Sequence, residues 1–396
     1  MSPRALLAVL VALLLGAGVA AAAPSDLSTD PLDRATLLAL PSVYRVDTTI
    51  RVDALRLADG TRVPITPKAR TIQERGTAVA VAPGGWLVSA AHVATPDAAT
   101  LARLAYTQDR AFRGQSHEDE DAADEWVRTN GATPVGPGVV SLTVSQADAG
   151  GGMAGSRTYP VQERVPSPTA DLALIRIRAR TAPALPLDEA SSSGTPVVTI
   201  GFGVGSSLDG PARGEFEPAV RRGRLSRTGT LEAEEGAEPR QAIAISVPVE
   251  RGDSGGPVID ADGRVRGIVT QRSREGGIAE RATDVRLLLE SRDIVPGPGA
   301  SGDRFREAMT AFWDLDFPAA QQGFDATLQA FGEHTLAGAQ RSRAAELASG
   351  DFSLTGDRRR GALLAIAVVA GLAALACAAG LAGPLTRRGG RSAAGR

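Results

Sequence analysis

Three segments of this chain carry side chains that together could activate a hydroxyl. They are Ser89-Ala90-Ala91-His92-Val93, Ala170-Asp171-Leu172-Ala173-Leu174-Ile175 and Gly252-Asp253-Ser254-Gly255-Gly256-Pro257-Val258. A serine hydroxyl is a weak nucleophile at neutral pH and needs a base to take its proton as it attacks. Imidazole titrates near neutrality and suits that task. A carboxylate on the other ring nitrogen fixes the tautomer and stabilises the imidazolium. The oxyanion that develops needs backbone N–H donors, and glycines beside the serine let the chain turn tightly enough to aim them. Ser254 is therefore the candidate nucleophile, His92 the general base and then acid, and Asp171 the group that orients His92. The N–H groups of Gly252 and Ser254 are the candidate oxyanion donors.

Taken singly, each signal is bland. A serine in a glycine-rich loop is usually a turn, and an aspartate before a strand is usually a cap. The histidine count sharpens the choice. Only His92, His117 and His334 exist; His117 lies in an acidic stretch and His334 in a helical one. His92 alone follows a strand inside the β-rich region.

The elements that must hold these groups read as short strands. Residues 41–295 contain Val-, Ile- and Thr-rich runs between turn residues: Val43–Val52, Thr77–Ala82, Trp86–Ala90, Asp171–Ile177, Pro196–Ile200, Ala242–Val247 and Val265–Thr270. Pro83-Gly84-Gly85 and Asp260-Ala261-Asp262-Gly263 separate pairs of them as hairpin connections do. The fold class expected is all-β, built as barrels or a sandwich. Residues 107–135 break the pattern with an acidic cluster, read as a solvated surface insertion. A calcium loop there lacks the usual ligand spacing.

The segments resemble the trypsin/chymotrypsin-fold serine peptidases, in that family's order His, Asp, Ser. Gly252-Asp253-Ser254-Gly255-Gly256-Pro257 is the specific element; Ala91-His92 and Asp171-Leu172 alone are weak. The resemblance covers about 41–292 and implies two six-stranded barrels with the triad between them. With no disulfide possible, the chain is most similar to bacterial peptidases of the HtrA-like kind. It departs from them in leaving no room for a PDZ domain and in carrying Asp253 where those enzymes usually have asparagine. In trypsin-like zymogens this aspartate is engaged by a newly cut N-terminal amine. No Ile-Val-Gly-Gly-like segment is present, so Asp253 is expected to pair internally, with Arg251 or another arginine. Constitutive and latent forms both remain open. The resemblance also implies a primary pocket at Pro248, Val249 and Thr270. With no acid at its base, a small or apolar residue is expected before the scissile bond.

Both ends carry signals. Residues 1–22 read as a secretory signal peptide, with Arg4, an apolar run and small residues, cleaved near Ala21 or Ala22 because Pro24 disfavours a later cut. Residues 361–383 carry no charge and are long enough as a helix to cross a bilayer. Arginines flank them on both sides, so the positive-inside rule decides little. The leader decides: residues 24–360 are expected outside the cytoplasmic membrane and the tail 384–396 inside. Residues 293–302 read as a linker. Residues 303–350 read as a helical hairpin, with Ala308, Phe317, Ala320 and Phe324 placed as in a tetratricopeptide repeat. It packs on the peptidase or binds a protein partner.

Composition is consistent with this. The 396 residues have a net charge of -2, which gives no reason to expect nucleic acid. Lys68 is the only lysine, and Cys377, inside the apolar run, is the only cysteine. The chemistry needs no metal or organic cofactor. The leading expectation is a membrane-anchored serine endopeptidase acting on proteins or peptides. The alternative is a peptidase-fold scaffold or envelope sensor whose helical segment binds a partner; the complete triad favours the enzyme.

Overall fold

The Val- and Ile-rich runs alternate in the faces they bury, and this decides which strands become central. In the computed structural model, which describes residues 27–349 except 115–119, 148–155, 180, 191, 204–216, 232–239 and 274, the first half supplies ten strands. These are β1 (Val43–Arg51), β2 (Ala54–Arg56), β3 (Arg62–Pro64), β4 (Thr71–Ala82), β5 (Trp86–Ala90), β6 (Thr133–Val135), β7 (Gly138–Ala147), β8 (Ser156–Tyr159), β9 (Val161–Pro166) and β10 (Leu172–Ile177). Seven form an antiparallel sheet in the order β8-β7-β1-β4-β5-β10-β9, and β3-β2-β6 form a small sheet beside it. The second half supplies β11 (Pro196–Gly201), β12 (Ala219–Leu231), β13 (Arg240–Ile245), β14 (Pro257–Asp260), β15 (Val265–Ser273) and β16 (Gly276–Arg281), closed into a barrel in the order β11-β12-β13-β16-β15-β14. Among the described residues, hydrogen-bonded closure is found in the second half alone, where two closed barrels were expected.

The two faces of the central strands serve different cores. Ala78, Ala80, Leu87, Ala173 and Ile175 point into the core of the first half with Tyr44 and Tyr159. Val79, Val81, Val88, Leu172 and Leu174 point the other way and join Val198, Ile200, Ile259 and Ile268 from the second barrel. Strands buried on both faces are apolar throughout rather than alternating. Burying each such Val or Leu contributes about 1.5–3 kcal/mol, so the seam between the halves is as firmly packed as either interior.

Helices complete the structure and correct the all-β expectation. α1 (Pro31–Ala39) starts on Asp30, whose carboxylate accepts from Leu32 N–H at 2.8 Å, with Pro31 in the first turn. Its Ala35 and Ala39 enter the seam core, so the domain begins before residue 41. α2 (Ala91–Ala94) is a single turn directly after β5. α3 (Ala98–Phe112) runs into the stretch 107–135 that was expected to be a solvated insertion, and α4 (Glu120–Asn130) lies within it. Ala102, Leu104, Ala105 and Val127 are buried there with Leu55, Ile65 and Ile72, and Tyr106 stacks on Trp126 at 4.1 Å. The stretch 107–135 is thus not solvated throughout: Val127 is buried, and Trp126 stacks on Tyr106, in a core shared with the preceding helix.

α5 (Ala282–Glu290) packs Val285, Leu288 and Leu289 into the seam. α6 (Gly299–Trp313) starts inside the expected linker, and α7 (Phe317–Ala330) follows after Asp316 caps it through Ala319 N–H at 3.1 Å. A Cβ on Gly323 would stand 2.7 Å from the Ala308 Cβ, so these helices approach closely at small residues. α8 (Ala337–Ser349) comes last. Ala184 N–H donates to Pro298 O at 3.1 Å, Gly297 N–H to Val81 O at 3.0 Å, and Arg306 to Asp262 O at 2.9 Å. The helical hairpin, through Arg306, and the stretch before it, through Gly297 and Pro298, are therefore docked on the β-rich part of the chain. Residues 1–22, 361–383 and 384–396, to which the leader, span and tail were assigned, lie outside the described residues. Among the described residues, no helix is long and apolar enough to cross a membrane.

Candidate active site

Strand register brings His92 and Asp171 together. Leu172 of β10 pairs with Ala90 of β5, so Asp171, one residue before β10, lies opposite the start of α2. The Asp171 carboxylate then grips His92 twice: Oδ1 accepts the His92 backbone N–H at 3.0 Å, and Oδ2 lies 2.7 Å from Nδ1. Ala91 N–H donates to Asp171 O at 3.2 Å. Three bonds between two adjacent strand ends fix the ring's position. The carboxylate on Nδ1 directs the proton there and leaves Nε2 as the basic atom. Both side chains are partly exposed, so a substrate can reach the ring.

Ser254 reaches the same place from the second half. Its carbonyl accepts from Thr77 N–H at 2.8 Å, and a Cβ on Gly76 would meet both Ser254 O at 3.1 Å and Val93 Cγ1 at 2.5 Å. The serine backbone and the residue after His92 thus converge on Gly76 of β4. Among the described residues, Ser254 Oγ makes no hydrogen bond to the His92 ring. Such bonds are often long in a free site and tighten when substrate fills it.

The loop around Ser254 requires its glycines. Gly255 has φ +88°, and a Cβ there would stand 1.9 Å from Thr77 O. Gly252 has φ +99°, and its Cβ would press on Phe202 O at 2.5 Å. Within this loop Asp253 N–H donates to Glu250 O, Gly255 N–H to Val269 O and Gly256 N–H to Asp253 O. The N–H groups of Gly252 and Ser254 have no protein acceptor among the described residues. They are the two donors free to meet an oxyanion.

Two further features escaped sequence reasoning. Thr77, fully buried, joins the halves: its Oγ1 donates to Gly252 O at 2.8 Å and accepts from Phe202 N–H at 3.0 Å. The arginine on Asp253 is Arg221, whose Nη1 lies 2.6 Å from Oδ2. Gly203 N–H donates to Oδ1 at 3.0 Å and Glu250 N–H to Oδ2 at 2.8 Å. Burial pushes the Asp253 carboxyl above its usual range, and the Arg221 charge opposes that rise. The available signals were the run Arg221-Arg222-Gly223-Arg224 on a strand and the Gly201-Phe202-Gly203 turn.

The three residues expected at the primary pocket differ in burial. Pro248 is exposed, whereas Val249 is buried in the barrel core, where a Cβ on Gly277 would meet its Cγ2 at 2.4 Å. Thr270 is buried within β15, and its hydroxyl has no hydrogen-bond partner among the described residues. Burial alternates along Val247, Pro248 and Val249, with Pro248 the exposed one. Among the described residues, no group of His, Cys, Asp and Glu side chains has the arrangement of a metal site.

An imidazole held by a carboxylate and set against a glycine-flanked serine is the equipment of a serine hydrolase. Residues 76–268 match the family model of the trypsin-like peptidase domain, so this part of the chain carries a trypsin-like peptidase domain. Similar solved structures include the HtrA-type protease AlgW with a tripeptide, at 19% identity and TM-score 0.40, covering 66% of this chain and 64% of that one. The Rv3671c protease from M. tuberculosis in its active form is 18% identical at TM-score 0.41, covering 69% and 91%. The serine endoprotease from Yersinia pestis is 16% identical at TM-score 0.39, covering 66% and 65%. The chain spans less than two thirds of the length of the AlgW and Yersinia proteins. No curated protein matches it by sequence.

Proposed function

We propose that the protein is a membrane-tethered serine endopeptidase facing the outside of the cytoplasmic membrane, with His92, Asp171 and Ser254 as its triad. The observation that carries this reading is the double grip of Asp171 on His92, at 3.0 and 2.7 Å, beside a serine loop with two uncommitted N–H groups. As Ser254 Oγ bonds to the scissile carbonyl carbon, its proton passes to His92 Nε2. The carbonyl oxygen becomes an oxyanion facing the N–H groups of Gly252 and Ser254. His92 then gives the proton to the leaving amine as the C–N bond breaks, leaving an ester on Ser254. Water, deprotonated by His92, attacks that ester and frees the serine.

The tether rests on the uncharged run 361–383 and the leader 1–22. Substrates are proteins or peptides with a small or apolar residue before the scissile bond; efficient cleavage after arginine in a peptide library would overturn that specificity. The helical segment docks on the rest of the chain through Arg306, which donates to Asp262 O, and through Phe331, which is buried in the core of the first half; this favours a structural role over capture of a separate partner.

The test is labelling of the full chain, in detergent, with a fluorophosphonate. Wild type should be labelled and Ser254→Ala should not, with His92→Ala strongly reduced. Equal labelling of Ser254→Ala would remove that residue from the mechanism. Release of the full chain from membranes by alkaline carbonate would remove the tether.

A further inference from the structure

Two features of the chain lie outside the acyl-transfer site, and the fold alone accounts for neither. The first is an open cleft of about 380 Å³ between β2, β3, α3 and α4. Its walls include Leu55, Val63, Ile65, Tyr106 and Trp126, with the two rings stacked at 4.1 Å. Its charged lining is Asp109, Arg110 and Arg113, two guanidiniums against one carboxylate. Asp109 is committed inside the chain: it accepts from Thr66 N–H at 2.7 Å and from Arg113 Nε at 2.7 Å. The Arg113 side chain is still 48% exposed, so its charge stays at the rim. Apolar walls with a few fixed polar groups are the form of a binding site. The surplus positive charge selects a ligand that joins an apolar group to carboxylates.

The second feature is Leu315, in the turn between α6 and α7. It has φ +63°, in the left-handed region, just past the end of α6. Leu315 N–H donates to Phe312 O at 3.2 Å and Asp316 N–H to Ala311 O at 2.9 Å. These paired bonds mark a helix end that ordinarily carries glycine at this position. The Leu315 side chain is 63% exposed and stands between two exposed acids, Asp314 and Asp316. A lone exposed leucine is ordinary. One held in a backbone conformation that disfavours any side chain is not.

We propose that Leu315, with Asp314 and Asp316, docks into the Tyr106–Trp126 cleft of a second copy of this chain. The leucine meets the apolar walls, and the two carboxylates meet the arginine rim. The same carboxylates would be repelled by an anionic lipid surface. Knob and cleft are different surfaces of one chain, so the contact is head-to-tail. A bound pair keeps one knob and one cleft unfilled, and assembly continues beyond a dimer.

Full-length protein in detergent is followed by sedimentation velocity up to about 100 μM, where a contact of micromolar affinity is saturated. Wild type should form concentration-dependent species larger than a dimer. Leu315→Gly relieves the backbone and removes the knob. It should weaken association about tenfold or more, the scale of uncovering one leucine, without lowering the melting temperature. Arg113→Glu should also weaken association, by setting acid against acid. Should Arg113→Glu fail to fold, Arg113→Gln takes its place. The decisive measurement mixes the two variants. Leu315→Gly keeps its cleft and Arg113→Glu its knob, so chains that stay apart alone should pair on mixing and stop at a dimer. Such recovery also shows that neither substitution acts by unfolding. Ser254→Ala should assemble like wild type, because the contact does not use the nucleophile. Monomeric wild type at the highest concentration, undiminished association of folded Leu315→Gly, or folded variants that do not pair on mixing would each overturn the proposal.

Discussion

The acid–base pair and the nucleophile stand on supports of different kinds. His92 and Asp171 are placed by strand register: β5 and β10 pair at Ala90 and Leu172, and three short bonds complete the join. Ser254 sits in a loop whose shape depends on glycines that no other residue can replace and on a buried carboxylate with one guanidinium partner. A support made of backbone pairing is local and insensitive to charge. A support made of a buried ion pair joins distant segments and fails when one partner is lost. The first half can tolerate change around its catalytic groups, whereas the second half concentrates its risk in a few residues.

The sharpest test of the register-built side is Asp171→Asn. The backbone grip survives, because an amide oxygen still accepts the His92 N–H, but Nδ1 loses its carboxylate and the ring its tautomer. Loss in kcat should reach about 10⁴-fold with little change in fold. Steady-state kinetics beside a melting curve checks this. A loss below tenfold would mean that Asp171 holds the backbone only, and the contrast between the two supports would disappear.

Thr77 is where the supports meet, and Thr77→Val removes one hydroxyl at nearly constant volume. Gly252 O and Phe202 N–H then lose a partner while buried, at about 1–3 kcal/mol for each group left unsatisfied. The denaturation midpoint should fall accordingly, and fluorophosphonate labelling should slow because Gly252 is released. An unchanged midpoint would show that the joint carries no strain and that the loop stands on Asp253 alone.

Buried ionisable groups give a second form of the contrast. Asp253 is buried with a counter-ion, whereas His334 is buried with none. The His334 ring lies 4.2 Å from that of Phe305, its Nδ1 accepts from Leu336 and Ala337 N–H, and burial lowers its pKa from 6.5 to about 3. The folded state resists protonation, so the unfolded chain takes up the proton first as pH falls. Stability is complete above about pH 6.5 and declines towards pH 3 by about 1.4 kcal/mol per pH unit from this residue. His334→Asn keeps an acceptor for the two N–H groups and cannot titrate there. Its melting temperature should fall less steeply between pH 6.5 and 4.5 than that of wild type; equal slopes would place the acid sensitivity elsewhere.

The sequence made the chemistry more legible than the supports. Ser254 with its glycines, His92 after a strand and Asp171 before one are local patterns, and Trp86–Ala90 is a strand as read. Register then does the rest, because a strand pair carries its end residues with it. Arg221 was hidden because its partner lies 32 residues away and nothing local separates it from Arg222 or Arg224. The buried part of 107–135 was obscured for another reason: its acidic cluster sits beside apolar residues at helical spacing, and composition drew the eye before periodicity. Pro248 was placed by resemblance, and which of Val247, Pro248 and Val249 is exposed depends on barrel geometry that a motif does not encode.

The smallest expected effect isolates the comparison most cleanly. Arg222 follows Arg221 on β12 but points to the other side, where it pairs with Asp30 at 2.7 Å and with Asp33, both on the N-terminal helix α1 or its cap. The Arg222 and Asp30 side chains are well exposed to water, and that of Asp33 is partly exposed. Exposed pairs of this kind contribute less than about 1 kcal/mol and weaken with salt. The Arg222 hydrogen bond lowers the Asp30 pKa below 3.8, so what the pair adds is present at neutral pH and is lost as pH falls through that lowered value. Arg222→Ala should therefore shift the melting temperature slightly at low salt, not at all at high salt, and leave kcat unchanged. Two adjacent arginines on one strand, one on a buried carboxylate and one on two more exposed carboxylates, then separate the effect of burial from that of charge. If Arg222→Ala lowered kcat as far as Arg221→Met, β12 would be acting as a whole and the buried pair would lose its special place.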